Sequence, residues 1–216
     1  MKVVKNTYKC GVCGKENEYT DILSNFISGY NDFDMKPVGS MMEIGDNIKE
    51  CPDCHYASYN ITDPIEKRFS NNLELWNNST EFQEIIKKYD GNLRKVFLVA
   101  NQYKNNMDYE NLCKSYIMLS WICDEGEAKE FRIKACEIFI EKMLPKFRDN
   151  FLQIADLLRM IDEFEDSNII LDSMKLITHS SEESILKIID AEKKYISEND
   201  SSRHNLGEIF KDGIDK

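Results

Sequence analysis

Two Cys-x-x-Cys pairs, Cys10-Gly-Val-Cys13 and Cys51-Pro-Asp-Cys54, constrain the fold of this chain more than any other feature. Each pair presents two thiolates from one tight turn, and four thiolates can close a tetrahedron around Zn²⁺. The stretch from residue 14 to residue 50 is longer than a minimal ribbon needs, so folding must bring the two turns together. Gly14 follows the first pair, where a knuckle turn favours glycine, and His55 holds the equivalent place after the second. A positive φ there costs a non-Gly residue on the order of 1 kcal/mol, and His tolerates it better than most.

Other chemistries use such pairs. Thioredoxin-like exchange requires one pair near a βαβ pattern, and none is legible. Cys51-Pro-Asp-Cys54-His55 matches the haem-attachment motif literally. That reading is set aside because there is a second pair, no export signal and no evident axial ligand. A catalytic zinc keeps an open position, whereas four sulfurs fill the shell. The expectation is therefore one structural Zn²⁺ per chain, held by Cys10, Cys13, Cys51 and Cys54.

Residues 1–61 contain most of the chain's nine Gly and no long 3.6-residue period. They read as a zinc-ribbon-like module whose small core needs a metal staple. Helix signals begin at Asp63-Pro64-Ile65-Glu66, a cap, a first-position Pro and a first-turn acid. Thr80 to Gln83 and Ser180 to Glu183 read as capping boxes. Apolar periodicity predicts helices over about 80–89, 92–104, 108–123, 127–143, 150–163, 167–178 and 180–196. Residues 62–198 are thus expected to form a TPR-like antiparallel helical array, and 199–216 a polar tail, loosely packed apart from a short Leu206–Phe210 segment. The fold class is mainly α.

Net charge is −11, from 28 basic and 39 acidic residues. This surface repels a polyanion, so nucleic acid is not an expected partner. No apolar run reaches the ~18 residues that span a bilayer, and Met1-Lys-Val-Val-Lys has no signal-peptide character. A cytoplasmic location with no membrane partner is expected, and seven Cys suit a reducing compartment. Cys113, Cys123 and Cys136 fall within helical patterns and read as free thiols in the core. Trp121 reads as an interhelical anchor, and His179 and His204 as solvated. Asp32 and Asp34 could serve a cation or an acid–base pair. The plainer reading is that they accept backbone N–H bonds and shape the loop.

The chain resembles an uncharacterised bacterial family, domain-of-unknown-function family 2225. The resemblance rests on the paired knuckles, Asp32-x-Asp34-x-Lys-Pro37 and Glu50-Cys-Pro-Asp-Cys-His-Tyr56. In the helical part it continues through Leu119-Ser-Trp-Ile-Cys-Asp124 and Asp156-Leu-Leu-Arg159. It covers most of the chain and implies a zinc-ribbon-like module joined to TPR-like helices, with the same four Cys as ligands and no established reaction. The expected function is a zinc-binding adaptor for a protein or peptide. The alternatives are a thiol-based redox or metal-responsive regulator, and an enzyme with a site in the helical groove that uses Asp32, Asp34 or His55.

Overall fold

In the computed structural model, which describes residues 2–24, 28–63, 73–143 and 150–210, strand is confined to the first sixty residues and helix dominates after residue 73. Strands β1 (Lys2–Lys9) and β2 (Glu16–Ser24) form an antiparallel hairpin across the first knuckle. The two-residue strands β3 (Lys49–Glu50) and β4 (Ala57–Ser58) do the same across the second. Each Cys pair therefore sits in the turn of its own hairpin. Residues 73–77 are helical, followed by α1 (Thr80–Lys88), α2 (Gly91–Asn106) and α3 (Tyr109–Ile122). Next come α4 (Glu125–Ile138), which continues into a π-helical turn over Phe139–Met143, and α5 (Phe151–Met160). The last helices are α6 (Phe164–Ile177), α7 (Glu183–Ser197) and the single turn α8 (Gly207–Phe210).

The expected helices from residue 80 to 196 are all present, with ends shifted by a few residues where caps decide. Ser79, not Thr80, caps α1: its Oγ accepts from Phe82 N at 3.1 Å. Asp108 caps α3 and Asp124 caps α4 in the same way. Asp124 therefore opens a helix as well as following one. The box at Ser180 does not form, because α7 starts at Glu183 and Glu182 reaches back to His179 N instead. Pro64–Glu66 of the expected helix start, the stop at Pro145 and the last six residues lie outside the described residues. Among the described residues, no helix is long and apolar enough to cross a membrane.

The chain divides into two compact units. The first comprises Met1–Phe26 and Ser40–Cys123, and the second Ile27–Gly39 and Asp124–Lys216. The division falls between α3 and α4. In the first unit α2 is the central element. It buries Val96 through Ala100 in an unbroken run, packed with Leu112, Ile117 and Leu119 of α3. Ile48, Tyr56, Ala57 and Ile61 are also buried, so the second knuckle has apolar residues on both flanks. Trp121 is half-buried.

In the second unit, Ala155, Leu171, Met174, Ile189 and Ile196 from α5, α6 and α7 form one cluster. The segment 27–39 belongs to this unit although its sequence lies between the two knuckles. Phe33 N donates to His204 O, Leu206 N donates to Asn31 O, and Asn205 Nδ2 donates to Tyr30 O. Residues 199–210 thus form a strap clasped to that segment, rather than the loose tail its polarity suggests. Arg203 Nη1 lies 2.9 Å from Asp34 Oδ2 and 3.4 Å from Asp32 Oδ2. Polar side chains make this strap, so no hydrophobic period announces it.

Candidate metal centre

The two knuckles are near copies of each other at the backbone. In the first, Cys10 N donates to Lys15 O at 2.8 Å and Gly14 N to Cys10 O at 3.0 Å. In the second, Cys51 N donates to Tyr56 O at 2.8 Å and His55 N to Cys51 O at 2.9 Å. Gly14 has φ +74° and His55 φ +56°, so both turns close through the left-handed region. The His at the second turn leaves the knuckle geometry intact. Its side chain contributes instead: Nδ1 lies 2.9 Å from Glu50 Oε1, and the ring packs 5.2 Å from that of Phe82. Glu50 in turn accepts from Arg94 Nε at 3.0 Å, which ties the turn to α2.

The four Sγ atoms of Cys10, Cys13, Cys51 and Cys54 all lie within 4.8 Å of one another. Across the knuckles, Cys10 to Cys54 is 3.7 Å and Cys13 to Cys51 is 3.6 Å. A tetrahedron with Zn–S bonds of ~2.3 Å has edges of roughly 3.8 Å, so the cluster has the size of a thiolate shell. Disulfides are excluded, since they hold sulfurs at about 2.05 Å. Backbone N–H groups of Lys15, Asp53, Cys54 and Tyr56 are directed at the sulfurs. This donor set suits a closed tetrahedral site and leaves no protein-defined open position.

Electrostatics favour a cation here. Burial raises the proton affinity of the Cys51 and Cys54 thiols. Burial acts the same way on Cys13, but the Lys15 N–H and the neighbouring thiols outweigh it and hold Cys13 below the ordinary range. Four thiols packed edge to edge cannot all ionise unaided, and a divalent ion removes that conflict. When bound, a Zn²⁺ ion would supply cross-linking between the hairpins. Around the shell, Asn17 Nδ2 approaches Cys51 Sγ at 3.9 Å and Asp53 Oδ2 at 3.2 Å, while Lys15 Nζ pairs with Asp53 Oδ1 at 2.6 Å. These three residues tie one hairpin to the other.

Two further contacts fix the first turn. Gly11 N donates to Ile61 O at 2.9 Å, and a Cβ at Gly11 would lie 2.0 Å from Asp63 O. Asn77 Nδ2 donates to Cys54 O at 2.7 Å, joining the helical residues 73–77 to the second turn. The Tyr19 hydroxyl is buried without a hydrogen-bond partner, and burial together with the four sulfurs raises its proton affinity.

Among the other candidate residues, Asp32 and Asp34 meet on Arg203. Asp32 and Asp34 belong to the second unit and His55 to the first. Asp34 is fully buried, pairs with Arg203 and accepts from Lys36 N at 3.2 Å. It shapes its loop, as the plainer reading expected. His204 is not solvated: it stacks on Tyr195 with ring centroids 3.7 Å apart, its ring nitrogens facing Asp200 and Glu208. Cys113 and Cys136 are buried and form no disulfide, and Cys123 is half-buried.

Compared with known proteins, the chain matches no family model, and neither a curated protein nor a solved structure is significantly similar to it.

Proposed function

We propose that this chain is a cytoplasmic adaptor in which a structural Zn²⁺ locks the two hairpins and the helices, read as a TPR-like array, receive a protein or peptide. The observation that carries the metal part is the sulfur cluster, whose 3.6 and 3.7 Å edges fit a tetrahedral thiolate shell. The adaptor part rests on the stacked helices and on exposed apolar residues such as Ile169 and Leu176 of α6, which are 57% and 87% exposed. Membership of family 2225 is part of the same proposal and rests on the shared motifs. The test is capture of partners from the native host by wild type and by Cys51→Ser. A partner retained by wild type and lost by the variant supports the reading. A metal-loaded wild type that retains no partner overturns the adaptor role while leaving the metal site standing.

A second reading, the redox or metal-responsive regulator, is favoured by one observation. Cys10 and Cys51 are buried, whereas Cys13 is exposed and borders a hollow of about 390 Å³ lined by Lys9, Gly11, Val12 and Thr62. Hydrogen peroxide reaching that hollow could take two electrons from the Cys10 and Cys13 thiolates and two protons from solvent, giving a disulfide and two waters, and the shell would lose two ligands. Zinc released at mild peroxide levels supports this reading. Zinc retained until the protein denatures refutes it.

A further inference from the structure

The core of the second unit contains an ion cluster with an incomplete hydrogen-bond count. Arg159 on α5 is fully buried, as are Asp156 one turn before it and Glu192 on α7. Arg159 Nη2 lies 2.5 Å from Asp156 Oδ1, and Nε lies 3.0 Å from Glu192 Oε2. Its Nη1 donates to the carbonyls of Asp200 at 2.6 Å and Ser202 at 2.8 Å. The guanidinium is therefore the anchor of the strap. The remaining oxygens, Asp156 Oδ2 and Glu192 Oε1, are buried and meet no donor among the described residues. Both acids bond the same guanidinium, and a carboxylate only accepts, so neither spare oxygen can satisfy the other without a proton between them. One cation among two buried acids also leaves an excess negative charge unless one acid is neutral.

We propose that Asp156 and Glu192 share one buried proton, carried mainly by Glu192, and that this proton sets the strength of the Arg159 clasp on the C-terminal strap. Asp156 holds the shorter of the two Arg159 contacts, as the ionised member of the pair would. Burial, then the Asp156 charge, pushes the Glu192 carboxyl up to about 9. Burial, opposed by Arg159 and reinforced by Asp34, pushes Asp156 to about 6. The sign follows directly. A carboxyl that binds its proton more tightly folded than unfolded favours folding fully below the ordinary carboxylate range. That favour is lost as pH rises towards about 9. The clasp is thus tight in acid and loose in base.

Other charged groups on the surrounding elements stay paired with each other. On the strap, His204 is held between Asp200 and Glu208, and Arg203 lies on Asp32 and Asp34 of the 27–39 segment. Between α6 and α7, Lys175 pairs with Asp190 and Lys193 with Asp172 on the outer side. The effect of Glu192 is read as a difference between variants, which cancels the titration of groups common to both.

The experiment uses the full metal-loaded chain. Urea unfolding of wild type and Glu192→Gln, which keeps a donor towards Asp156, is followed at pH 6, 7, 8 and 9. The proposal expects the ratio of their unfolding constants to grow by up to about tenfold per pH unit, with wild type becoming the weaker. A ratio that does not change with pH overturns it. Carboxyl ¹³C shifts, with Glu192 assigned by its loss in the variant, give a second reading. The proposal expects the protonated-acid shift for Glu192 at pH 7; a carboxylate shift there overturns it even if the variant folds poorly.

Discussion

Arg159→Met tests how much of the second unit depends on one buried side chain. The substitution keeps volume and helix propensity but deletes four hydrogen bonds, to Glu192, Asp156 and the carbonyls of Asp200 and Ser202. It also removes the cation 5.4 Å from the centre of the Tyr195 ring. Breaking a buried ion pair from one side costs about 3–5 kcal/mol, because the charge left behind has no partner. The acids can relieve part of this by taking up a second proton, but the two carbonyls cannot. A domain typically has about 5–15 kcal/mol in total, so the loss is a large fraction. With a urea slope of ~2 kcal/mol per molar, the midpoint should fall by roughly 2 M. Amides of residues 200–206 should lose exchange protection before those of α5. Arg159→Lys restores the charge but cannot reach four acceptors, so it should fall between wild type and Met. A loss below about 1 kcal/mol for Arg159→Met, with the strap still protected, would refute the anchoring role.

Two substitutions probe the knuckles. Gly11→Ala forces a Cβ to within 2.0 Å of Asp63 O, and overpacking of this kind costs about 1–3 kcal/mol; thermal unfolding should show the loss, and a chelator should strip the metal faster. His55→Ala should be less stable than His55→Gly by about 1 kcal/mol, because both lose the Glu50 and Phe82 contacts but only Gly escapes the left-handed penalty. Equal unfolding midpoints for the two variants would mean that His55 is not strained.

The sulfur cluster was legible in the sequence because its chemistry is local: the spacing of each pair already defines a turn. The helices from residue 80 to 196 were legible because apolar periodicity and caps are also local. What the sequence hid depends on pairing across long separations. Asp32 and Asp34 meet Arg203 across most of the chain, and Arg159 meets the strap through carbonyls that carry no residue signature. His204 read as solvated because its stacking partner Tyr195 and its two acids converge only after α7 ends. Polar clasps have no period, so composition alone marks them as surface.

The central claim is that Cys10, Cys13, Cys51 and Cys54 close one metal shell. X-ray absorption at the zinc edge, on protein purified without added metal, tests it most directly. The account predicts about one zinc per chain with a single shell of four sulfurs at ~2.3 Å. A shell containing nitrogen or oxygen ligands, or protein free of metal with four titratable thiols at these positions, would contradict it.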